Sequence, residues 1–497
     1  MEIAQNTIGC EWSSEGNTTF QTTNPVTNAK NTIKVVEATE AEISKACALA
    51  ATAFKDYRKV DGPTRAKFLE EIASELEAAG DTLINMYMLE SGLPKGRAEG
   101  ERGRMVGQLR MFATLIKDDT WRAPNDDSNE NKTKRLLVPI GPIAVFGASN
   151  FPFAFSTAGG DTASALAAGN PVIVKNHPMH AVTGVMVANA IAIAAKNTGM
   201  PAGVFSSLNS KDVLVGTQLV KNEHIKAVGF TGSLKGGRAL YDIAAQRPEP
   251  IPVFAEMGSV NPVIISEEAI KQRKEIIAQD IADSVMLGVG QFCTNPGLIL
   301  VTKGDETSRF IEILGNKMEE KVSDSMLHEN IFKHYDHGTK MMMEHSGVTL
   351  VKNSAVSMQA NAPKGTIATT AGHTFLENTS LHKEVFGPFS LVVVAKNTDE
   401  LIKIIENLEG QLTGTIIAES SETNMLVPVM DALQERVGRI VFNGVPTGVE
   451  VCGAMTHGGP YPASTDSRFT AVGTEAIKRW VRPVSYQNVP DVLLPKI

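Results

Sequence analysis

Ile143-Ala144-Val145-Phe146 and Val172-Ile173-Val174, with a small-residue helical stretch over 156–168 between them, are the natural starting point in this chain. Two short, wholly apolar runs separated by a helix describe strands buried on both faces and joined by a crossover. Such a crossover returns the chain parallel to itself. The alternation continues with a helix over 183–196, a strand at Val204-Phe205, a helix near 216–220, the strand Ala227-Val228-Gly229-Phe230 and a helix from Gly237. Repeated crossovers imply a parallel doubly wound sheet, which binds ligands beyond the carboxyl ends of its strands. After Glu256 a second series begins with Pro262-Val263-Ile264-Ile265, a helix over 276–287, Leu298-Ile299-Leu300-Val301 and a helix from Ser308. The expected class is α/β, with two doubly wound parallel-sheet domains. Upstream, Asp61-Gly62-Pro63-Thr64 splits the helical spacing of 40–80 into two helices, and a third covers 98–115. The polar run 125–131, between Trp121 and Arg135-Leu136-Leu137-Val138, reads as an exposed hairpin tip.

Composition narrows the function. A length of 497 residues suggests about three domains at ~150 residues each. With 42% hydrophobic and 21% charged residues the chain can bury a sizeable core. A net charge of −8 without a basic run argues against nucleic acid or an anionic membrane as the main partner. Cys10, Cys47, Cys293 and Cys452 lie far apart with no CxxC pair, so a reducing compartment is expected instead of a disulfide framework or zinc ribbon. The polar segment 1–28 lacks an apolar core, and the longest apolar stretches fall well short of the ~18 residues of a membrane span. A cytoplasmic protein is expected. His328, His334 and His337 show no HExxH spacing, and no metal site is expected.

Several residues could carry chemistry. Gly288-Val289-Gly290-Gln291-Phe292-Cys293 starts like a dinucleotide fingerprint but has cysteine at the third glycine, so any nucleotide must be held differently. The turn containing Gly232, Ser233 and Gly237 runs from strand to helix. It could face a pyrophosphate or be an ordinary turn; Gly237-Arg238 excludes a P-loop. Cys293, in a glycine-flanked connection, is either an accessible nucleophile or a structural cysteine. Glu256 closes an apolar run, where desolvation would raise its pKa and suit it to general-base work; a solvated strand-end glutamate is the alternative. Asn150 follows a strand and could donate to an oxyanion or simply shape a turn. Lys175, ending Val172-Ile173-Val174-Lys175, could reach a ribose or phosphate or merely terminate the strand.

Taken in order, Asn150, Lys175, Gly232-Ser233 with Gly237, Glu256-Met257-Gly258, Cys293 and Glu384-Val385-Phe386-Gly387-Pro388 resemble the aldehyde dehydrogenase superfamily over nearly the whole chain. Gly147-Ala148-Ser149-Asn150-Phe151-Pro152, Gly107-Gln108-Leu109-Arg110 and His457-Gly458-Gly459-Pro460-Tyr461-Pro462 are similar to its bacterial NADP-linked subgroup, which contains 2-oxoglutarate semialdehyde (2,5-dioxopentanoate) dehydrogenases and a fatty aldehyde dehydrogenase. The resemblance implies a Rossmann-like cofactor domain over 1–120 and 140–257, a catalytic domain over 258–465, and a small β oligomerisation arm from 121–139 and 478–497. It implies that Cys293 attacks the aldehyde, that Asn150 and the Cys293 N–H hold the oxyanion, and that Glu256 activates the hydrolytic water. Glu384 is then expected at the nicotinamide ribose, Phe386 beside the ring, Lys175 at the adenosine ribose and Ser233 at the pyrophosphate. Many NAD-preferring members have a glutamate where this chain has Pro178, so NADP is the expected cofactor, with NAD possible and Lys211 a candidate for the 2′-phosphate. The resemblance also implies a homodimer or homotetramer, since similar segments in the family form an oligomerisation arm. The strands flanking 125–131 and the stretch 480–486 have edge-strand composition and Pro483 suits an edge, the alternative being a hairpin folded back within a monomer. Competing readings are a fatty or broad-specificity aldehyde dehydrogenase, a CoA-acylating one, against which Glu256 speaks, and a non-catalytic protein on the same fold.

Overall fold

The computed structural model describes residues 2–127, 132–424 and 426–495. Residues 128–131 of the expected hairpin tip and 496–497 of the expected arm lie outside them. The first sheet has five parallel strands, in the order Val253–Glu256, Ala227–Thr231, Ile143–Phe146, Val172–Lys175 and Phe205–Leu208. Strand order reverses between Ile143–Phe146 and Ala227–Thr231, and that switch opens the crevice in which such sheets bind ligands. Two unanticipated strands, Asn6–Ile8 and Glu11–Ser13, continue the sheet antiparallel beyond Phe205–Leu208. At three residues each they are too short for a periodic signal. Long-range bonds hold the segment instead: Asn209 N–H donates to Asn6 Oδ1 at 2.8 Å and Gly9 N–H to Ser206 Oγ at 3.0 Å.

The second sheet runs Thr349–Asn353, Thr366–Ala371, Phe389–Ala395, Leu298–Thr302, Val263–Ile265, Gln411–Ile417 and Val437–Phe442, parallel except for its first strand. The fold is thus two doubly wound α/β units with a small β appendage. In that appendage Thr133–Pro139 is flanked by Asn125–Asp127 and Val481–Tyr486, all antiparallel. The first three residues of the expected polar loop are therefore strand, because they pair with Thr133–Arg135. Pro483 stands opposite Leu137 on an outer strand, where its missing N–H costs no ladder bond.

Two further expectations are corrected. The helix expected from Ser156 begins at Gly160. Gly160 N–H donates to Ala154 O at 3.1 Å, not to Ser156 O as a helix from Ser156 would require. The loop is anchored by the buried Glu101 carboxylate, which accepts from Phe153 N–H at 2.8 Å and Ala154 N–H at 3.0 Å. The stretch Pro178–Asn197 is long and apolar enough to pass for a membrane span by length and composition, contrary to the sequence expectation. Its 72% burial comes from packing against the helices Gly62–Ala78 and Gly80–Ser91, as befits a core helix.

Candidate active site

The two sheets meet so that the carboxyl edge of the first faces the connections entering the amino ends of the second. Cys293 lies on one of these, between the helix Glu267–Met286 and the strand Leu298–Thr302. Gly288, Val289 and Gly290 take left-handed φ values of 56°, 59° and 67°, which turn the chain sharply ahead of the thiol. A Cβ on Gly290 would stand 2.3 Å from the carbonyl carbon of Gly387, so only glycine lets these backbones touch. Asn295 Nδ2 donates to Gly387 O at 3.1 Å, and Asn261 Nδ2 donates to Cys293 O and Asn295 O, both at 2.8 Å. The cysteine loop is thereby clamped to the segment containing Glu384 and Phe386. Gly290→Ala is expected to lower stability by about 2 kcal/mol or more, since both the backbone conformation and the space forbid a side chain. A denaturant midpoint equal to that of the parent protein would show the close approach to be dispensable.

Around the thiol the structure gathers three groups. Glu256, the last residue of its strand, is 4% exposed, and His457 is 2% exposed. His457 Nε2 lies 3.5 Å from Cys293 Sγ and 2.8 Å from Glu256 Oε2, the latter contact lacking hydrogen-bond alignment. All three ligand-type atoms fall within 4.8 Å of one another. The same spacing would suit a soft divalent cation, and none of His328, His334 and His337 belongs to this cluster. Burial, reinforced by the Glu256 charge, holds the Cys293 thiol well above its usual pKa. It rests protonated, although its half-buried side chain remains reachable from the cleft. Asn150 Nδ2 donates to Gln291 O at 3.1 Å, which ties the amide to the cysteine loop and leaves its second N–H for a ligand. Cys10 and Cys47 are buried away from this site, and burial lifts their pKa values to about 11 and about 12.

The remaining candidates are spread along the crevice. Glu384 faces the cleft, yet the surrounding protein desolvates it and, with the nearby Glu256, raises its pKa to about 7 against a Ser259 N–H bond that lowers it. Phe386 is half-buried beside Glu384 in the same recess, with Ser259 and Asn295. Lys175 ends its strand, donates to Ser210 O at 3.0 Å, and is brought by desolvation to about 8, against the Asp212 and Glu37 charges. Pro178 opens the short turn Pro178–His180. Lys211 is exposed, within electrostatic reach of His328, and its N–H donates to Glu37 Oε1 at 3.3 Å. Gly232 N–H donates to Glu256 O at 3.0 Å. Ser233 caps the helix Leu234–Ala245, its hydroxyl accepting from Gly236 N–H at 3.2 Å, so the helix N-terminus opens onto the crevice. A Cβ on Gly237 would meet Met257 Sδ at 2.6 Å; glycine there lets the helix sit close on the sheet.

Sequence reasoning missed His457 and Arg104. His457 stood in a quoted stretch, but only as a mark of resemblance. Its distance from Cys293 in the chain hid the contact. Arg104, on the helix Lys95–Leu115, lines the cavity before the thiol with no motif around it.

Comparison with known proteins agrees with the fold. The aldehyde dehydrogenase family matches residues 12–482, and the chain belongs to that family. It is 45% identical over 467 residues to alpha-ketoglutaric semialdehyde dehydrogenase 2 of Azospirillum brasilense, spanning 92% of this chain and 89% of that protein. It is also 43% identical to alpha-ketoglutaric semialdehyde dehydrogenase of Acinetobacter baylyi, spanning 93% and 89%. Among solved structures, a 1-pyrroline-5-carboxylate dehydrogenase superposes with a TM-score of 0.85 at 20% identity, covering 98% of this chain and 92% of that one.

Proposed function

We propose that this aldehyde dehydrogenase oxidises 2-oxoglutarate semialdehyde (α-ketoglutaric semialdehyde, 2,5-dioxopentanoate) to 2-oxoglutarate, with NADP preferred over NAD. The observation that carries the chemistry is the Cys293, Glu256 and His457 cluster within 4.8 Å. The substrate rests on the two relatives of that name, at 45% and 43% identity. Because the thiol rests protonated, it is ionised within the site, and the His457 imidazole and Glu256 carboxylate are the bases at hand. Sγ then bonds to the aldehyde carbon, and the new oxyanion accepts from the free Asn150 N–H and the Cys293 backbone N–H. A nicotinamide dinucleotide held by Lys175, Ser233, Glu384 and Phe386 would supply the hydride acceptor, and loss of hydride from the carbon bonded to Sγ leaves a thioester on Cys293. Glu256 removes a proton from water, the hydroxyl adds to the thioester carbon, the C–S bond breaks, and the thiol is restored as the carboxylate leaves. Residues 1–120 and 140–257 form the cofactor unit on this reading, and 258–465 the catalytic unit.

The crevice suits a dinucleotide. On this reading the capped helix N-terminus meets the pyrophosphate, and Lys175 and Glu384 bind the two riboses, a reading supported by the Ser233 cap and by the strand-end position of Lys175. Rates with 2-oxoglutarate semialdehyde, glutaraldehyde, betaine aldehyde and a long-chain aldehyde, each with NAD and NADP, test the assignment. The highest kcat/KM is expected for 2-oxoglutarate semialdehyde; a clear preference for a long-chain or cationic aldehyde would overturn it. NADP preference rests on Pro178, which offers no carboxylate to repel a 2′-phosphate. Pro178→Glu should shift the kcat/KM ratio toward NAD by about 10-fold, and strong NAD selectivity in the parent enzyme would contradict this.

The outer strands Asn125–Asp127 and Val481–Tyr486 leave backbone groups for another chain, and the appendage is proposed as the arm that builds a homodimer or homotetramer. Truncation from Trp480 is expected to give monomers or aggregates. Light scattering that finds the intact protein monomeric at micromolar concentration would remove the arm from the account.

A further inference from the structure

The cavity before Cys293 measures about 340 Å³, and its aromatic wall includes Phe151, Phe155 and Phe292. Two arginines enter that wall, and they are compensated differently. Arg97 lies over the rings of Phe151 and Phe292 at 4.4 and 4.6 Å, and its Nε donates to Glu101 Oε2 at 3.3 Å. Its charge is thus met by a carboxylate. Arg104 lies over Phe155, 5.3 Å from the ring centroid, and its Nη1 donates to the neutral Val449 carbonyl at 3.0 Å. Among the described residues, its Nε and Nη2 are screened from water and have no hydrogen-bond partner. Glu101, the nearby acid, is already occupied by Tyr87 OH at 2.6 Å, the Phe153 and Ala154 amides and Arg97. Unpaired buried guanidinium donors are costly. Of the described arginines that bear this cost, Arg104 alone leaves two donors unpaired and lines the cavity before the thiol, where a bound acceptor would offset it. Nε and Nη2 form the side-on edge that matches a carboxylate with two parallel bonds.

We propose that Arg104 binds the substrate's carboxylate through Nε and Nη2 while the aldehyde end lies at Cys293, and that this residue selects acid aldehydes over neutral ones. The proposal rests on the 2-oxoglutarate semialdehyde reading and gives it a physical cause. Desolvation depresses the Arg104 pKa and the nearby Glu101 and Glu256 carboxylates act against that shift, while Arg104 and Cys293 line the same cavity. A bound carboxylate would complete the charge pair and the hydrogen bonding together.

The test compares kcat and KM of the parent enzyme, Arg104→Met and Arg104→Lys on 2-oxoglutarate semialdehyde, succinic semialdehyde and pentanal, at saturating cofactor. Methionine keeps the apolar stem and removes the charge; lysine keeps the charge but loses the paired donors, and serves if the methionine variant fails to fold. The kcat/KM ratio of either acid aldehyde to pentanal is expected to fall about 100-fold in Arg104→Met, mostly through KM, with a smaller fall in Arg104→Lys. An unchanged ratio, whether activity is retained or lost equally on all three aldehydes, overturns the proposal and reduces Arg104 to a structural or thiol-stabilising residue. If the parent enzyme rejects 2-oxoglutarate semialdehyde but the ratio for succinic semialdehyde still collapses, the substrate assignment fails and the anchor stands. If the parent prefers 2-oxoglutarate semialdehyde and the ratio does not move, the anchor fails and the assignment stands.

Discussion

Cys293→Ala is expected to lose aldehyde oxidation by several orders of magnitude in kcat, while Cys47→Ala stays near the parent rate. The difference follows from location. Cys293 is half-buried, borders the cavity, and has an imidazole nitrogen 3.5 Å from its sulfur. Cys47 is fully buried in the helix Glu40–Tyr57, and its thiol, pushed up to about 12 by desolvation alone, has neither a base nor a route to substrate. Removing a covalent nucleophile deletes the step itself, so neighbouring groups cannot compensate. The raised pKa of the Cys293 thiol bears on the pH profile too. Ionising it becomes easier as pH rises, so the rate of acyl-enzyme formation is expected to climb from pH 6 to pH 9. Stopped-flow measurement of the first turnover checks both statements, and substantial oxidation by Cys293→Ala would remove the nucleophile from the account.

Glu256→Gln should separate the two halves of the reaction. The amide keeps the shape of the side chain at the strand end and cannot accept a proton from water. Hydride transfer precedes hydrolysis, so a first-turnover burst of reduced cofactor is expected, followed by steady-state turnover about 100-fold slower or more. If the burst vanishes while the variant stays folded, Glu256 is needed earlier, as the group that deprotonates the thiol with His457. Its position 2.8 Å from His457 Nε2 makes that outcome informative.

Much of this architecture was legible in the sequence because parallel strands buried on both faces are written as short apolar runs. Ile143–Phe146, Val172–Lys175 and Leu298–Thr302 announce themselves that way. The N-terminal strands Asn6–Ile8 and Glu11–Ser13 do not, since partners some 200 residues away hold them in place. The early residues 156–159 look helical by composition, yet Gly160 N–H bonds to Ala154 O in a loop that the Glu101 carboxylate of another helix anchors, which composition cannot register. At the site, Cys293 and Glu256 carried local signals, a glycine-flanked turn and a strand end. His457 and Arg104 carried none of their own. Their meaning comes from distance to the thiol and from unpaired donors, which exist only after the two sheets have been brought together.

The central claim is that oxidation passes through a thioester on Cys293. Rapid quenching of Glu256→Gln after mixing with 2-oxoglutarate semialdehyde and NADP, followed by peptide mass spectrometry, examines it directly. The account predicts the mass of the 2-oxoglutaryl group on the peptide containing Cys293, accumulating in step with the burst of reduced cofactor. Reduced cofactor formed with no acyl group on that peptide would contradict it.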